Sequence, residues 1–126
     1  MLRFLTWYFE RRRLRPIVSA LPRRLVKSFG SGDHCTSGQA QRAMSDLRLD
    51  KSLEPYAYAA VCEFSDIQRA GIALSAGEYE RLRAELRELF HISRPNFTIR
   101  DLLSTPYSRH YPAEENVYAS SGPPTD

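Results

Sequence analysis

The chain has 126 residues, 42% hydrophobic and 26% charged, which suits one small soluble domain with one core. No run approaches the roughly 20 apolar residues needed to span a bilayer, and Arg3, Glu10 and Arg11 interrupt the most apolar stretch. A secretory signal is not expected either, because aromatics precede the arginines, the reverse of the usual order.

Charge is divided unevenly. The first thirty residues, MLRFLTWYFERRRLRPIVSALPRRLVKSFG, hold eight Lys or Arg against the single acid Glu10, a net +7. The remaining ninety-six carry ten basic and fourteen acidic residues, a net −4. Basic charge interleaved with Phe, Trp, Tyr, Leu and Val reads as a surface for an anionic partner. An organelle-targeting peptide, also amphipathic, Arg-rich and acid-poor, is the competing reading of the segment.

From Leu2 to about Arg13, residues Leu2, Phe4, Leu5, Tyr8 and Phe9 fall on one side of a helical wheel and Arg3, Thr6, Glu10 and Arg11 on the other, which predicts an amphipathic helix. Pro16 predicts a break at Arg15 and a restart with the proline in a new first turn. Ile17, Leu21 and Leu25, flanked by Val18, Val26 and Phe29, form a second helical stripe, with Pro22 kinking it or opening a short helix. The run Gly30, Ser31, Gly32 ends it.

Beyond, four Ser or Thr residues are each followed three positions later by Gln, Glu or Asp: Thr36 with Gln39, Ser65 with Gln68, Ser75 with Glu78, and Thr98 with Asp101. Each is a capping-box pattern that satisfies orphan amides at a helix start. After Thr36 the apolar stripe is Ala40, Ala43, Met44 and Leu47; after Ser75 it is Tyr79, Leu82, Leu86, Leu89 and Phe90. Leu53 to Cys62 places Tyr56, Ala57, Ala60 and Val61 at helical spacing, with Pro55 tolerated in the first turn. From Ser104 onward, prolines, serines and polar residues without periodicity cannot offset an ordering entropy of about 1 to 2 kcal/mol per residue.

The chain therefore reads as all-α: a small bundle of five to seven short helices, strands absent or minor. Residues 1–30 form a basic amphipathic helical arm, 33–104 a helical domain and 105–126 a disordered tail. The body, on the stretches CTSGQAQRAM, PYAYAAVCEFSD, EYERLRAELRELF and NFTIRDLL, resembles a family of small bacterial proteins known only as a domain of unknown function. That resemblance implies a helical fold and a bacterial cytoplasmic setting, and it lends no catalytic or binding residue.

Candidate chemistry is thin. His34 and Cys35 supply two zinc-type donors, but a structural site needs four, and Cys62, His91 and His110 lie scattered. A cysteine and histidine nucleophilic pair with His91 has no local support. Cys35 and Cys62, 27 positions apart, read as reduced thiols, with Cys62 a small hydrophobe on an apolar stripe. The acids and arginines of ERLRAELRELF read as a solvated helix face, and Gly71 and Gly77 fit no phosphate loop. No catalytic residue, cofactor or metal is expected. The expectation is a non-catalytic binding or adaptor protein, cytoplasmic and peripheral to the inner face of the membrane.

Its anionic-surface contacts would be Arg11, Arg12, Arg13, Arg15, Arg23, Arg24 and Lys27, with Leu2, Leu5, Trp7 and Phe9 as the apolar face. The partner would be an anionic membrane surface or an acidic protein. The alternative is a nucleic-acid-binding module, with a small cysteine-dependent enzyme third. The plain competitor is an arm whose apolar side packs on the acidic body while arginine stems cover apolar surface and their heads stay wet.

Overall fold

In the computed structural model, which describes residues 2–30 and 32–109, the described residues are helices joined by loops, and the one extended pairing among them is an isolated bridge of Cys35 with Cys62. The first helix, α1, spans Leu2–Val18 with Pro16 inside it, so the break expected at Arg15 is absent. Burial on both sides of the proline explains this. Leu14, Ile17, Val18 and Leu21 fall at i, i+3, i+4 and i+7 and are all fully buried, and one continuous stripe holds the chain helical across the single bond that proline removes. The interruption comes at Ser19, with φ −116 and ψ −72. Its hydroxyl donates to the Arg15 carbonyl at 2.9 Å, a back-bond that bends helices, and Pro22 withdraws another donor just beyond.

The second helix, α2 (Ala20–Phe29), buries Leu21, Pro22 and Leu25 and stops at Gly30, whose φ of 88 suits a residue without Cβ. There follow α3 (Ser37–Leu47), a 3-10 turn (Lys51–Leu53), α4 (Glu54–Val61), α5 (Phe64–Arg69), α6 (Ala76–Phe90), α7 (Ile99–Leu103) and α8 (Pro106–Arg109). Six of these helices have six residues or more; α7 and α8 are single turns.

Three of the four capping boxes form with both arms in place: Thr36 with Gln39, Ser75 with Glu78 and Thr98 with Asp101. The fourth does not. The Glu63 carbonyl accepts from the amides of Asp66 and Ile67, which starts α5 at Phe64 and leaves Ser65 inside its first turn. Packing of the Phe64 ring on Tyr79, centroids 5.3 Å apart, accompanies that earlier start. Ser75→Ala is therefore expected to cost about 1 kcal/mol, whereas Ser65→Ala should change stability by less than about 0.5 kcal/mol. Urea unfolding of the two variants checks this contrast, and equal losses would overturn it.

The core is centred on α4. Ala57, Tyr58, Ala59, Ala60 and Val61 are all buried, and a helix that is apolar all round must be covered on every side. It packs chiefly on α6 and also on α3 and α1. The same hydrophobic cluster takes Leu14, Ile17, Leu21 and Leu25 from α1 and α2, Leu86 and Phe90 from α6, and Phe97, Ile99 and Leu102 from the chain that follows. The basic first thirty residues thus supply core side chains.

Order also continues past the boundary expected at residue 105. Thr105 and Ser108 are buried, and the Tyr107 ring meets Phe90 edge to face at 5.2 Å. An aromatic anchor of this kind holds a single turn that has little helix stability of its own. The rest of the expected tail, 110–126, lies outside the described residues.

Candidate functional site

The inward stripe of α1 extends toward its N-terminus through Arg11 and Trp7, which lie three and seven positions before Leu14. Trp7 is half-buried against the core, and the Arg11 guanidinium lies over its ring at 4.1 Å and over Tyr107 at 4.7 Å. Arg11 Nε also donates to the Leu89 carbonyl at 3.0 Å, and its Nη2 stands 3.0 Å from His91 Nε2. Leu89 belongs to the last turn of α6, where carbonyls lack helical partners and the helix dipole favours a cation. Arg11 is thus committed to the end of α6, and Trp7 faces the core instead of serving the apolar face expected with Leu2, Leu5 and Phe9.

The other basic residues divide in the same way. Arg15 lies over the Tyr107 ring at 5.9 Å, Arg23 donates to the Ser108 carbonyl, and Arg24 pairs with Asp46 at 3.2 Å. Arg13 is exposed, pairs with Glu10 one turn away at 3.2 Å and lies over Tyr56 at 5.7 Å. Arg12 and Lys27 are exposed. Of the seven expected anionic contacts, Arg12, Arg13 and Lys27 are exposed, Arg13 in a pair with Glu10, while Arg11 is engaged by the end of α6, Arg15 by Tyr107, Arg23 by α8 and Arg24 by Asp46 of α3.

The outward face of α1 is the unusual one. Leu5, Tyr8 and Phe9 are 45%, 45% and 58% exposed. They sit at i, i+3 and i+4, with Arg12 at i+7 on the same side and Arg13 beside it. The Tyr8 and Phe9 rings touch edge to face at 5.6 Å. Phe29 on α2 is exposed as well, at 41%. Single exposed hydrophobes are ordinary, but adjacent aromatics on one helix face beside an exposed arginine, Arg12, are the composition of an interaction surface. The side chain of Leu2 lies outside the described residues.

A polar cleft of about 640 Å³ opens on the other elements, lined by Asp33, His34, Glu63, Glu80, Arg83 and Arg94 among others. Its inner wall rests on Arg83, which is 5% exposed. Nη1 of Arg83 donates to the Ala59 carbonyl at 2.8 Å, and Nη2 donates to the carbonyls of Phe97 at 2.7 Å and Pro95 at 3.3 Å. The guanidinium lies over the Phe97 ring at 3.8 Å. Burial lowers its pKa from the ordinary arginine value. Tyr79 next to it donates to the Cys62 carbonyl at 2.8 Å.

These donors are spent on backbone carbonyls, so Arg83 straps α4, α6 and the 95–97 loop together and does not present a fork to a ligand. The reading of this helix as a solvated charged face missed it. The signal was its spacing: Tyr79, Arg83, Leu86 and Phe90 lie on one stripe.

Among the described residues no group of three or more His, Cys, Asp or Glu is placed to hold a metal ion, and no helix is long and apolar enough to cross a membrane. Cys35 and Cys62, expected from sequence to be reduced thiols with no catalytic or disulfide role, lie with their Sγ atoms 3.9 Å apart and are both free and buried.

Fold and surfaces together define a small helical protein with one core, basic N-terminal helices built into that core, and an exposed aromatic face on the first of them. The chain belongs to the family of unknown function DUF6559, whose model matches residues 5–122. The family unit accordingly takes in α1 and α2 as well as the 33–104 body. No curated protein and no solved structure matches the chain.

Proposed function

We propose that the protein is a non-catalytic binding module that docks reversibly on an anionic membrane surface, at the cytoplasmic face, through the outward side of α1. One observation carries this reading: Leu5, Tyr8 and Phe9 stand about half exposed on the same helix face as Arg12. Such a face suits the headgroup boundary, with aromatic rings at the interface and arginine heads on phosphates. The inward face of the same helix, anchored by Leu14, Ile17 and Val18, holds the stripe rigidly, so docking requires no unfolding. Arg12 supplies about 1 kcal/mol near an anionic surface and Arg13, paired with Glu10, less than that, so losing both weakens binding by roughly fivefold or more.

The test is co-sedimentation of the full chain with phosphatidylcholine vesicles, with and without phosphatidylserine, at low salt. Wild-type protein is expected to pellet only with the anionic vesicles and to be released as salt rises. Leu5→Ser with Phe9→Ser should stay in the supernatant with an unchanged circular dichroism spectrum, because both side chains point to water. Arg12→Gln with Arg13→Gln should show the weaker affinity. Wild-type protein that remains in the supernatant with phosphatidylserine vesicles overturns the proposal. Retention of RNA by the Leu5, Phe9 double variant, without vesicle binding by the wild type, would favour a nucleic-acid-binding module instead.

A further inference from the structure

Cys35 and Cys62 are separated by 27 positions and by α3, the 3-10 turn and α4, yet the fold sets them side by side. The Cys35 amide donates to the Val61 carbonyl at 2.9 Å, and the two cysteines form one rung of a parallel bridge. Paired extended backbones lie about 4.8 Å apart, within the range of about 4.4 to 6.8 Å that disulfide-linked Cα atoms occupy. The backbones are therefore already at bonding distance. Closing the sulfurs from 3.9 Å to a bond of about 2.05 Å takes side-chain rotation and leaves the main chain in place.

We infer that Cys35 and Cys62 form an oxidisable modification site, a dithiol that closes to an intramolecular disulfide within the folded protein, with a peroxide as the oxidant. Burial gives the two thiols different roles. Cys62 is fully buried and Cys35 is 6% exposed, at the end of a loop whose preceding residues, Asp33 and His34, line the polar cleft. The hydrogen bond with Cys35, together with burial, pushes the Cys62 thiol above its ordinary pKa, and with no exposed surface of its own Cys62 is reached by a solvent peroxide only after Cys35.

Cys35 reacts first. Its thiolate attacks one peroxide oxygen, the O–O bond breaks, and the departing hydroxide takes the thiol's proton as water, leaving a Cys35 sulfenic acid. The Cys62 sulfur then displaces hydroxide from the Cys35 sulfur. The S–S bond forms, and the Cys62 proton leaves with that hydroxide as a second water. Two thiols lose two electrons and the peroxide gains them. The product ties the 32–36 loop to the junction of α4 and α5, beside the cleft.

The experiment treats reduced full-length protein with hydrogen peroxide in native buffer, then alkylates under denaturing conditions and reads intact and peptide masses. Expected are loss of two hydrogens, protection of both cysteines from alkylation, a Cys35–Cys62 cross-linked peptide, an unchanged circular dichroism spectrum, and full reversal by dithiothreitol. In Cys62→Ala, the Cys35 sulfenic acid should persist and be trapped by dimedone; in Cys35→Ala, Cys62 should stay unmodified. The wild-type masses decide the matter even if a variant fails to fold. Cross-linked dimers, overoxidation of Cys35 without a cross-link, no reaction, or a cross-link formed only in urea would overturn the inference.

Discussion

Arg83→Ala is expected to destabilise the protein by about 3 to 5 kcal/mol, because it strips the donor from three carbonyls at once and buried acceptors left unpaired cost about 1 to 3 kcal/mol each, partly offset by removing a buried charge. Those acceptors belong to Ala59, Pro95 and Phe97, so the loss should fall on the joint between α4 and the loop that leads to α7. Arg83→Lys should recover only a minor part, since an ammonium cannot reproduce the planar fork that reaches Ala59 with one nitrogen and Phe97 with the other. Arg83→Met keeps the stem against the Phe97 ring and separates packing from hydrogen bonding. Guanidinium unfolding of the three variants measures these terms. A methionine variant as stable as wild type would show that the carbonyls find water or relax, and that the strap contributes little.

Leu86→Ala is expected to cost about 2 to 5 kcal/mol, the range for a buried leucine truncated in a packed core. Leu86 is fully buried midway along α6, and the helix that α6 mainly packs on, α4, is rich in alanine on its buried surface. Alanines have no side-chain rotamers with which to fill a cavity, which places the loss in the upper half of that range. Thermal and urea unfolding should agree on it. A loss below about 0.5 kcal/mol, as at exposed sites, would mean that α6 presents a different face to the core.

The helical architecture was legible because local signals and burial agree. The stripe Tyr79, Leu82, Leu86, Leu89 and Phe90 is buried along its whole length, and so are Ala40, Ala43 and Met44 of α3. Three capping boxes start helices where their patterns stand. The failures have physical causes. Pro16 lowers helix propensity, but burial of Leu14, Ile17 and Val18 outweighs it.

Around the candidate surface, Trp7 falls on the side of the wheel that carries Arg3, Thr6, Glu10 and Arg11, and those polar neighbours disguise the side of α1 that continues the buried stripe of Leu14. Tertiary packing turned Trp7 inward and left Leu5, Tyr8 and Phe9 outside. Arg83 was misread because an arginine within a charged run resembles its solvated neighbours, and only its spacing from Tyr79 and Leu86 marks it as buried. The cysteine pair was beyond reach, since two residues 27 positions apart meet only through the path of the chain between them.

The all-round burial of α4 also fixes how the molecule breathes. Amide protons of Tyr58 to Val61 sit in a helix with core on every side, so no local fraying exposes them, and their exchange with deuterium waits for opening of the whole domain. The α8 amides, in a single turn held by Tyr107, can open alone. Deuterium uptake should therefore be faster in α8 than in the alanine-rich helix at the centre, whose exchange rate reports the global stability of the protein.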